Sequence, residues 1–156
     1  MTKFDDVGEI RVAASGDAKA IQSLVMSLSH FYLEDIEAPL PKWFLKTLSL
    51  DAVIDRLTSS EYQTLVYVED GIVCGYVSIK SESHLYHLFV CEEHQGKGIA
   101  RQLWNAITSG SDVNTYTVRS SLYAVPVYER LGFQRTGEVA SKEGICYLAM
   151  SAVLKR

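Results

Sequence analysis

The sequence lacks most of the features that mark membrane, secreted or nucleic-acid-binding proteins. No stretch approaches the ~20 consecutive apolar residues that a membrane-spanning helix requires, and no basic start followed by an apolar block opens the chain. Runs of like charge are absent and the formal net charge is −4, so nucleic acids and anionic membranes are poor electrostatic partners. These absences predict a soluble, cytoplasmic protein whose negative charge suits a small cationic substrate.

Cysteine is scarce as well. Cys74, Cys91 and Cys146 are odd in number and show no Cys-x-x-Cys spacing, which argues against a disulfide framework and against a zinc site. We therefore expect reduced, buried thiols and no metal cofactor.

What the chain does contain is enough apolar material for one core. It has 156 residues, of which 47% are hydrophobic and 22% charged, and this is the size of one ordinary globular domain spanning residues 1–156. No repeat, low-complexity tract or long linker divides it. The composition leaves the oligomeric state open, a homodimer included.

Hydrophobic periodicity predicts an α/β fold. A short strand at 9–15 is followed by helical spacing in 16–32 and 41–60, and the second of these helical patterns breaks near Ser49 into two short helices. Two β-rich runs flank Asp70–Gly71, a strong hairpin signal.

The second half of the chain continues the alternation of strands and helices. A third strand at 84–90 leads through a glycine-rich segment into a helix that ends near Ser109, and a strand at 115–120 leads into a helix ended by Gly132. Two closing strands follow. We summarise the order as βααβββαβαββ, which predicts a mixed, mostly antiparallel sheet with helices on both faces.

The glycine-rich segment Glu92–Leu103, EEHQGKGIARQL, connects the end of a predicted strand to the start of a predicted helix. A helix start leaves main-chain N–H groups without intrahelical partners, and glycine lets an anion approach them closely. The segment therefore predicts a phosphate site. The spacing excludes two nucleotide-binding motifs. A Walker loop requires glycine at position 91, where this chain has Cys91, and a dinucleotide fingerprint requires glycine or alanine at position 101, where it has Arg101.

The pattern Gln95-x-x-Gly98-x-Ala100 resembles the acyl-CoA pyrophosphate loop of the GNAT superfamily of N-acetyltransferases. A second stretch, 120–133, resembles the fourth-helix signature of this family through Ala124, Tyr128 and Leu131–Gly132–Phe133. The opening at 10–21 resembles the first strand and helix of the family. The resemblance covers nearly the whole chain and implies a single-domain GNAT-like acyl-CoA N-acyltransferase fold.

The resemblance also implies how the chain holds acetyl-CoA as co-substrate. Five residues would hold the pyrophosphate through their backbone N–H groups: Gln95, Gly96, Lys97, Gly98 and Ala100. The third strand would pair its free edge with the pantetheine arm through the main chain of Leu88 and Val90, in the manner of an added strand. The Leu88 amide is then the expected oxyanion donor.

Two side chains are candidates for proton transfer. The resemblance makes Tyr128 the general acid, because a phenol with an ordinary pKa of ~10 is protonated at neutral pH and can protonate a departing thiolate. His84 is the candidate base, since strand alternation predicts that it shares a face with Tyr86 and Leu88, where some family members carry a catalytic glutamate. On the same alternation His87 faces the other side.

One departure from the family pattern follows the fifth strand, where relatives commonly carry Asn-Ala-Ser and this chain has Arg119–Ser120–Ser121. The missing asparagine removes one side-chain contact to CoA, whereas Ser121 keeps a hydroxyl that can cap the next helix. Arg119 is an alternative partner for an acidic substrate group. His94 is expected at the surface of the glycine-rich loop.

The resemblance places the acceptor pocket between the first two helices and the strand ends. The candidates to line it are aromatic: Phe31, Tyr32 and Trp43. Nearby carboxylates are placed to attract a cationic amine: Glu34, Asp35 and Glu37. The acceptor implied is a primary amine of a small molecule or a peptide.

Two functions fit these features. The first is direct acetyl transfer from acetyl-CoA to an amine in a ternary complex, because no cysteine is placed for an acyl-enzyme intermediate. The second is a non-catalytic acyl-CoA-binding or regulatory module with the same fold. Tyr128 favours catalysis, since a binding module needs no proton donor.

Overall fold

The computed structural model describes residues 8–154. Its elements in chain order are β1 (Glu9–Val12), α1 (Ala18–Leu28), α2 (Lys42–Thr47), α3 (Leu50–Thr58), β2 (Tyr62–Glu69), β3 (Ile72–Lys80), β4 (His84–Val90), α4 (Ile99–Thr108), β5 (Thr115–Ser120), α5 (Val125–Arg130), β6 (Gln134–Arg135), β7 (Ala140–Lys142) and β8 (Ile145–Val153). No helix in this part of the chain combines the length and apolarity that a membrane crossing requires.

The strands form a sheet in the order β1-β2-β3-β4-β5-β8-β6, with β7 added to the start of β8. The pairing of β4 with β5 is parallel and the other pairings are antiparallel. Asp70 and Gly71 join β2 to β3 with left-handed φ angles of 53° and 76°, which confirms the hairpin signal. The predicted mixed, mostly antiparallel sheet is confirmed.

The element order departs from the summarised prediction in two places. Three helices precede β2 where the summarised order has two, which confirms the predicted break near Ser49: α2 ends at Thr47, and the Ser49 Oγ accepts a hydrogen bond from the Ala52 amide at 3.1 Å to begin α3. Three strands close the chain rather than two. β7 has three residues and turns into β8 through Glu143 and Gly144, both left-handed, and so short a strand leaves no readable period.

Helices cover both faces of the sheet, as predicted, and each face has its own core. On one face α1 and α3 pack on the sheet through residues that include Ile21, Leu24, Val25, Val53, Val66 and Tyr76. On the other face α4 and α5 pack through residues that include Leu103, Trp104, Tyr116, Val118, Tyr128 and Phe133.

β4 and β5 separate soon after they meet. Their pairing covers His84 opposite Thr117 and Leu85 opposite Val118, and it extends no further in the described residues. The later part of β4 therefore presents an edge that β5 leaves unpaired. This divergence opens the sheet where an extended ligand can add as a strand.

A register shift in β4 changes which side chains share a face. Ser78 of β3 pairs with His87 and Ile79 pairs with Leu85, so Tyr86 is an extra residue as in a β-bulge. Tyr86 and His87 consequently lie side by side, with ring centroids 4.2 Å apart, whereas Leu88 packs on the core of α4 and α5.

Two predictions about β4 are therefore wrong. Leu88 does not share a face with Tyr86, and His87 does not face away from it, because strict alternation holds only in a strand without a bulge.

Candidate active site

A cavity of about 490 Å³ lies beside the unpaired edge of β4, between the start of α4 and α5. Of the thirteen residues expected in catalysis, CoA binding or the acceptor wall, ten line it: Phe31, Tyr32, Leu88, Val90, Gln95, Gly96, Gly98, Ala100, Ser121 and Tyr128. The other three do not: His84, Trp43 and Lys97. The structure thus gathers most of the expected site around one cavity.

The glycine loop has the geometry of an anion site. Gly98 precedes the first residue of α4 with φ 82° and ψ 10°, and Gly96 is also left-handed with φ 78°. A Cβ at either position would have no neighbouring atom within 4 Å, so the space above the loop is open. Within residues 8–154 the N–H groups of Gly96, Lys97 and Gly98 have no hydrogen-bond partner. The loop therefore offers donors to an approaching anion.

Gln95 acts mainly through its side chain. Its N–H already donates to the Glu92 carbonyl at 3.3 Å, which leaves it less available to a ligand than the glycine amides. The Gln95 side chain donates from Nε2 to the Val90 carbonyl at 2.9 Å and accepts at Oε1 from the Tyr123 hydroxyl at 2.8 Å. Gln95 thus fastens the glycine loop to the end of β4.

The end of α5 explains why the Leu131–Gly132–Phe133 signature accompanies Tyr128. Gly132 has φ 104° and donates to the Glu129 carbonyl, while Phe133 donates to the Tyr128 carbonyl at 3.0 Å. This is a Schellman motif, and its usual apolar contact is the edge of Phe133 against the Tyr128 ring. The motif fixes the backbone and ring that present the phenol to the cavity.

Ser121 helps to position the same helix from its other end. Its Oγ accepts a hydrogen bond from the Ala124 amide at 3.2 Å, which closes the turn just before α5. The predicted capping hydroxyl is thus present, although it caps the preceding turn rather than the first turn of the helix.

Tyr128 is a neutral donor in this environment. Its side chain is 4% exposed, and burial raises its pKa well above the ordinary value, with a smaller contribution from Tyr32. Burial likewise raises the pKa of Tyr32 to about 12. Two phenols whose pKa is raised therefore line the cavity, and one of them, Tyr32, is the residue that the sequence predicts as a wall of the acceptor pocket.

His84 lies at the first of the two residue pairs that join β4 to β5. Its Nδ1 is 2.8 Å from the Thr117 Oγ1, and its pKa is lowered by burial and then by Arg119 and Lys80. The ring is therefore mostly uncharged at neutral pH, but it lies before the strands diverge and does not line the cavity.

His87 is the histidine that the bulge directs among aromatic rings. It shares a hydrogen bond with the Tyr76 hydroxyl and packs against the ring of Phe89. Burial lowers its pKa well below the ordinary value, with Arg56 adding to the effect. Sequence periodicity missed this placement because it depends on Tyr86 being an extra residue.

The expected acceptor side is divided. Phe31 stacks on Tyr123 with centroids 3.8 Å apart, and both line the cavity. Trp43 lies elsewhere, with the Lys142 ammonium 4.6 Å from its ring centroid. The indole N–H of Trp43 is buried and has no partner within residues 8–154. The three expected carboxylates are exposed and do not line the cavity: Glu34, Asp35 and Glu37.

Sequence reasoning missed the two arginines at the cavity. Arg101 and Arg130 line it, and the guanidinium of Arg101 donates to the Arg130 carbonyl. Arg101 follows Gly98 by three residues and lies in the first turn of α4, so its proximity to the loop was readable. Nothing local marked Arg130. Arg119, by contrast, lies over the Tyr147 ring at 5.1 Å and is not part of the cavity.

Comparison with protein families gives one assignment. Residues 28–154 match the model of the acetyltransferase (GNAT) domain. A mouse protein named probable N-acetyltransferase family 8 member 5 is 31% identical over 81 residues. That match covers 48% of this chain and spans 36% of the mouse protein.

Solved structures share the fold over nearly the whole chain. A GCN5-related N-acetyltransferase from Rhodopseudomonas palustris is similar with a TM-score of 0.74 and 19% identity, covering 95% of this chain and 96% of its own. The PaiA N-acetyltransferase from Thermoplasma acidophilum, solved with coenzyme A, has a TM-score of 0.73 and 16% identity, covering 95% and 99%. The yncA protein from Salmonella typhimurium, solved with its cofactor acetyl-CoA, has a TM-score of 0.70 and 20% identity, covering 96% and 95%.

Proposed function

This chain belongs to the GNAT acetyltransferase family, and we propose that it transfers an acetyl group from acetyl-CoA directly to a primary amine in a ternary complex. The observation that carries the proposal is the cavity itself. It combines unpartnered loop amides, an unpaired strand edge and a protonated phenol around one volume of about 490 Å³. Coenzyme A and acetyl-CoA in similar structures support the same choice of donor.

The donor half of the site follows from the backbone. In the proposal, the N–H groups of Gly96, Lys97 and Gly98 and those of the first turn of α4 hold the pyrophosphate. The helix dipole adds partial positive charge below them, and Arg101 and Arg130 add full charges at the same wall. The pantetheine arm lies beside the unpaired edge of β4 near Leu88 and pairs with it as an added strand would.

Chemistry then takes place at the thioester carbonyl. The amine nitrogen attacks the carbonyl carbon, the Leu88 amide stabilises the resulting oxyanion, and the carbon–sulfur bond breaks. Tyr128 gives its hydroxyl proton to the departing thiolate, and the nitrogen of the collapsing intermediate releases its second proton, which returns through water to the Tyr128 phenolate. Burial disfavours the thiolate as well as the phenolate, so a thiolate formed in the same site becomes more basic just as the pKa of Tyr128 rises.

The amine must lose a proton before it attacks. We propose that His84 accepts this proton through water, since its lowered pKa leaves the ring uncharged at neutral pH. Phe31 and Tyr32 are the proposed walls of the acceptor pocket. Trp43 is a more distant candidate that would reach an elongated acceptor, because it lies outside the cavity.

The alternative is a module that binds acyl-CoA without catalysis. Loop amides and strand edge suffice for that role, and Tyr128 would then serve only as a core residue. Thiol release separates the two functions, because both predict acetyl-CoA binding and only the enzyme releases CoA in the presence of an amine.

The first experiment is thermal unfolding with acetyl-CoA, CoA and ATP. We expect acetyl-CoA at ~100 times its Kd to stabilise the fold by roughly 2.7 kcal/mol, and ATP at the same concentration to give a smaller shift. An unchanged unfolding midpoint at millimolar acetyl-CoA would contradict both functions. A panel of amines, polyamines, amino acids, aminoglycosides and lysine peptides, followed by thiol release, then identifies the acceptor.

A further inference from the structure

Two of the three cysteines meet a histidine at the point where β4 ends and the glycine loop begins. One side-chain atom from each of Cys74, Cys91 and His94 lies within 4.8 Å of the others. Cys74 belongs to β3, and its carbonyl accepts a hydrogen bond from the Cys91 amide at 2.8 Å, so the two cysteines are cross-strand neighbours. The cluster therefore joins the core of the sheet to the loop.

The local fold directs His94 back toward Cys91. A turn at Glu92–His94 follows Cys91, and the His94 amide donates to the Cys91 carbonyl at 2.9 Å. The Cys91 Sγ is then 3.0 Å from the His94 Nδ1. A Cys-x-x-His turn of this kind places sulfur and nitrogen on one side of the chain, as in the chelating turns of zinc sites.

Glu69 orients the same imidazole from its other nitrogen. The Glu69 Oε2 is 2.9 Å from the His94 Nε2. A ligating histidine typically donates its second N–H to a carboxylate, which fixes the tautomer and raises the basicity of the ligating nitrogen. The arrangement of Glu69, His94 and Cys91 thus already has the outer partner that metal sites use.

Cys91, His94 and Glu69 also stand in the order of nucleophile, base and carboxylate. The position of Cys91 disfavours a nucleophile, because Cys91 does not line the cavity of the proposed acetyl transfer. A nucleophilic role also leaves Cys74 without a function.

We propose that Cys74, Cys91 and His94 bind a thiophilic divalent cation of the zinc type. Tetrahedral zinc separates sulfur and nitrogen ligands by roughly 3.5–3.8 Å, and the spacings of 3.0 Å and at most 4.8 Å bracket that range. Binding forms two metal–sulfur bonds and one metal–nitrogen bond, and it releases one proton from each thiol to solvent. Water completes the fourth position, on the side where Cys91 and Glu93 line a surface groove.

The metal would fasten the glycine loop to β3. His94 lines the cavity wall next to Gln95 and Gly96, while Cys74 is buried in the sheet. The proposal stands apart from acetyl transfer, because its test measures metal binding alone.

The experiment titrates cobalt(II) into the reduced, metal-free full chain. We expect one equivalent to give a thiolate-to-cobalt charge-transfer band and the visible bands of a tetrahedral site, and zinc(II) to displace both. Cys146→Ser is the matched control and keeps the spectrum, whereas Cys74→Ser and Cys91→Ser lose the charge-transfer intensity. Glu69→Gln retains all three ligands and weakens the affinity by about 10- to 100-fold.

A second measurement needs no variant. Alkylation of the parent protein, followed by mass spectrometry, should show that zinc(II) protects Cys91 while Cys146 reacts at an unchanged rate. The proposal is overturned if the parent gives no charge-transfer band, or if Cys91→Ser keeps it. Equal alkylation of Cys91 with and without zinc, or a Cys74–Cys91 disulfide that persists in reductant, has the same consequence.

Discussion

The two sides of the cavity are built in different ways. The proposed donor side consists of consecutive residues, Gln95–Ala100, in which left-handed backbone angles and the N–H groups of 96–98, unpartnered within residues 8–154, would contact the ligand. The acceptor side consists of side chains from distant segments, such as Phe31 stacked on Tyr123. A site made from consecutive backbone leaves a motif in the sequence, whereas a site made from distant side chains leaves only scattered aromatic residues.

This difference predicts how each side responds to substitution. Changes on the donor side should act through acetyl-CoA affinity and thiolate departure whatever the amine. Changes on the acceptor side should depend on the amine and on pH.

The largest effect is expected for Tyr128→Phe, which keeps the ring against Phe133 and removes the proton donor. General acids contribute typically ~10²–10⁴-fold, so kcat should fall in that range while acetyl-CoA affinity stays within a few-fold. Steady-state thiol release between pH 6 and 10 measures it. Tyr116→Phe is the control, because it removes another buried phenol, one bonded to Ser111 outside the cavity. Full kcat in Tyr128→Phe at every pH would remove the general acid from the proposal.

Gly98→Val should have the next largest effect. The substitution introduces a β-branched residue at φ 82° and places a side chain in the open space above the loop. Loss of one charge-assisted hydrogen bond costs roughly 1.5–3 kcal/mol, or about 10- to 100-fold in Kd for acetyl-CoA.

Calorimetric titration of Gly98→Val has a matched control in Gly110→Val. Gly110 has φ 77° and equally open surroundings but lies away from the cavity. Both variants carry the same backbone strain, so any difference in acetyl-CoA affinity reports ligand contact. Equal affinities in the two folded variants would break the assignment of the loop.

His84→Ala tests the acceptor side and should cost less than Tyr128→Phe. His84 lies outside the cavity and reaches the amine through water, so we expect kcat to fall roughly tenfold, below the ~10²–10⁴-fold typical of direct contact. Its lowered pKa keeps it competent as a base near neutral pH. The loss should shrink toward pH 10, where an amine with a pKa of ~10.4 deprotonates by itself. An unchanged pH profile would identify His84 as a bystander.

Arg101→Ala should have the smallest effect. Arg101 is exposed at the cavity wall, and exposed ion pairs are worth ~0.2–1 kcal/mol, so Kd for CoA should rise no more than about fivefold. Lys97→Ala is the matched control, since its side chain lies outside the cavity and should leave Kd unchanged. Titration at low and high salt measures both. The reverse ranking would show that the side chain of Lys97, and not that of Arg101, supplies positive charge to the ligand.

Local sequence predicted the parts of the molecule that depend on neighbours in the chain. The positions of Gly98 and Gly132 could be predicted from the sequence. Gly98 directly precedes one helix and Gly132 follows another, and both positions need left-handed backbone angles that glycine adopts easily. Tyr128 was predicted from the resemblance of 120–133 to the fourth-helix signature, and the packing of Phe133 on its ring gives a physical reason for that fixed spacing. The fold class followed from the order of such local signals.

The parts that were missed depend on partners elsewhere. The extra residue Tyr86 becomes visible only when β3 fixes the register of β4, and it reversed the predicted faces of His87 and Leu88. The cluster of Cys74 with Cys91 was hidden for the same reason, since only the pairing of β3 with the end of β4 makes them neighbours. The Cys91-x-x-His94 spacing is a local signal for metal binding, and a search restricted to Cys-x-x-Cys spacing does not find it.

The short pairing of β4 with β5 also has a consequence for local opening of the fold. Within residues 8–154, two residue pairs form the strand pairing between the half-sheet β1-β2-β3-β4 and the half-sheet β5-β8-β6. Regions with few shared hydrogen bonds open at lower free energy than the elements that they join, and they divide a fold into units that open separately. In the proposed acetyl transfer, the pantetheine arm lying along β4 adds hydrogen bonds at this seam. Substrate binding is then expected to raise the free energy of opening between the two half-sheets, which the shared core of α4 and α5 already holds together, and product departure to lower it again.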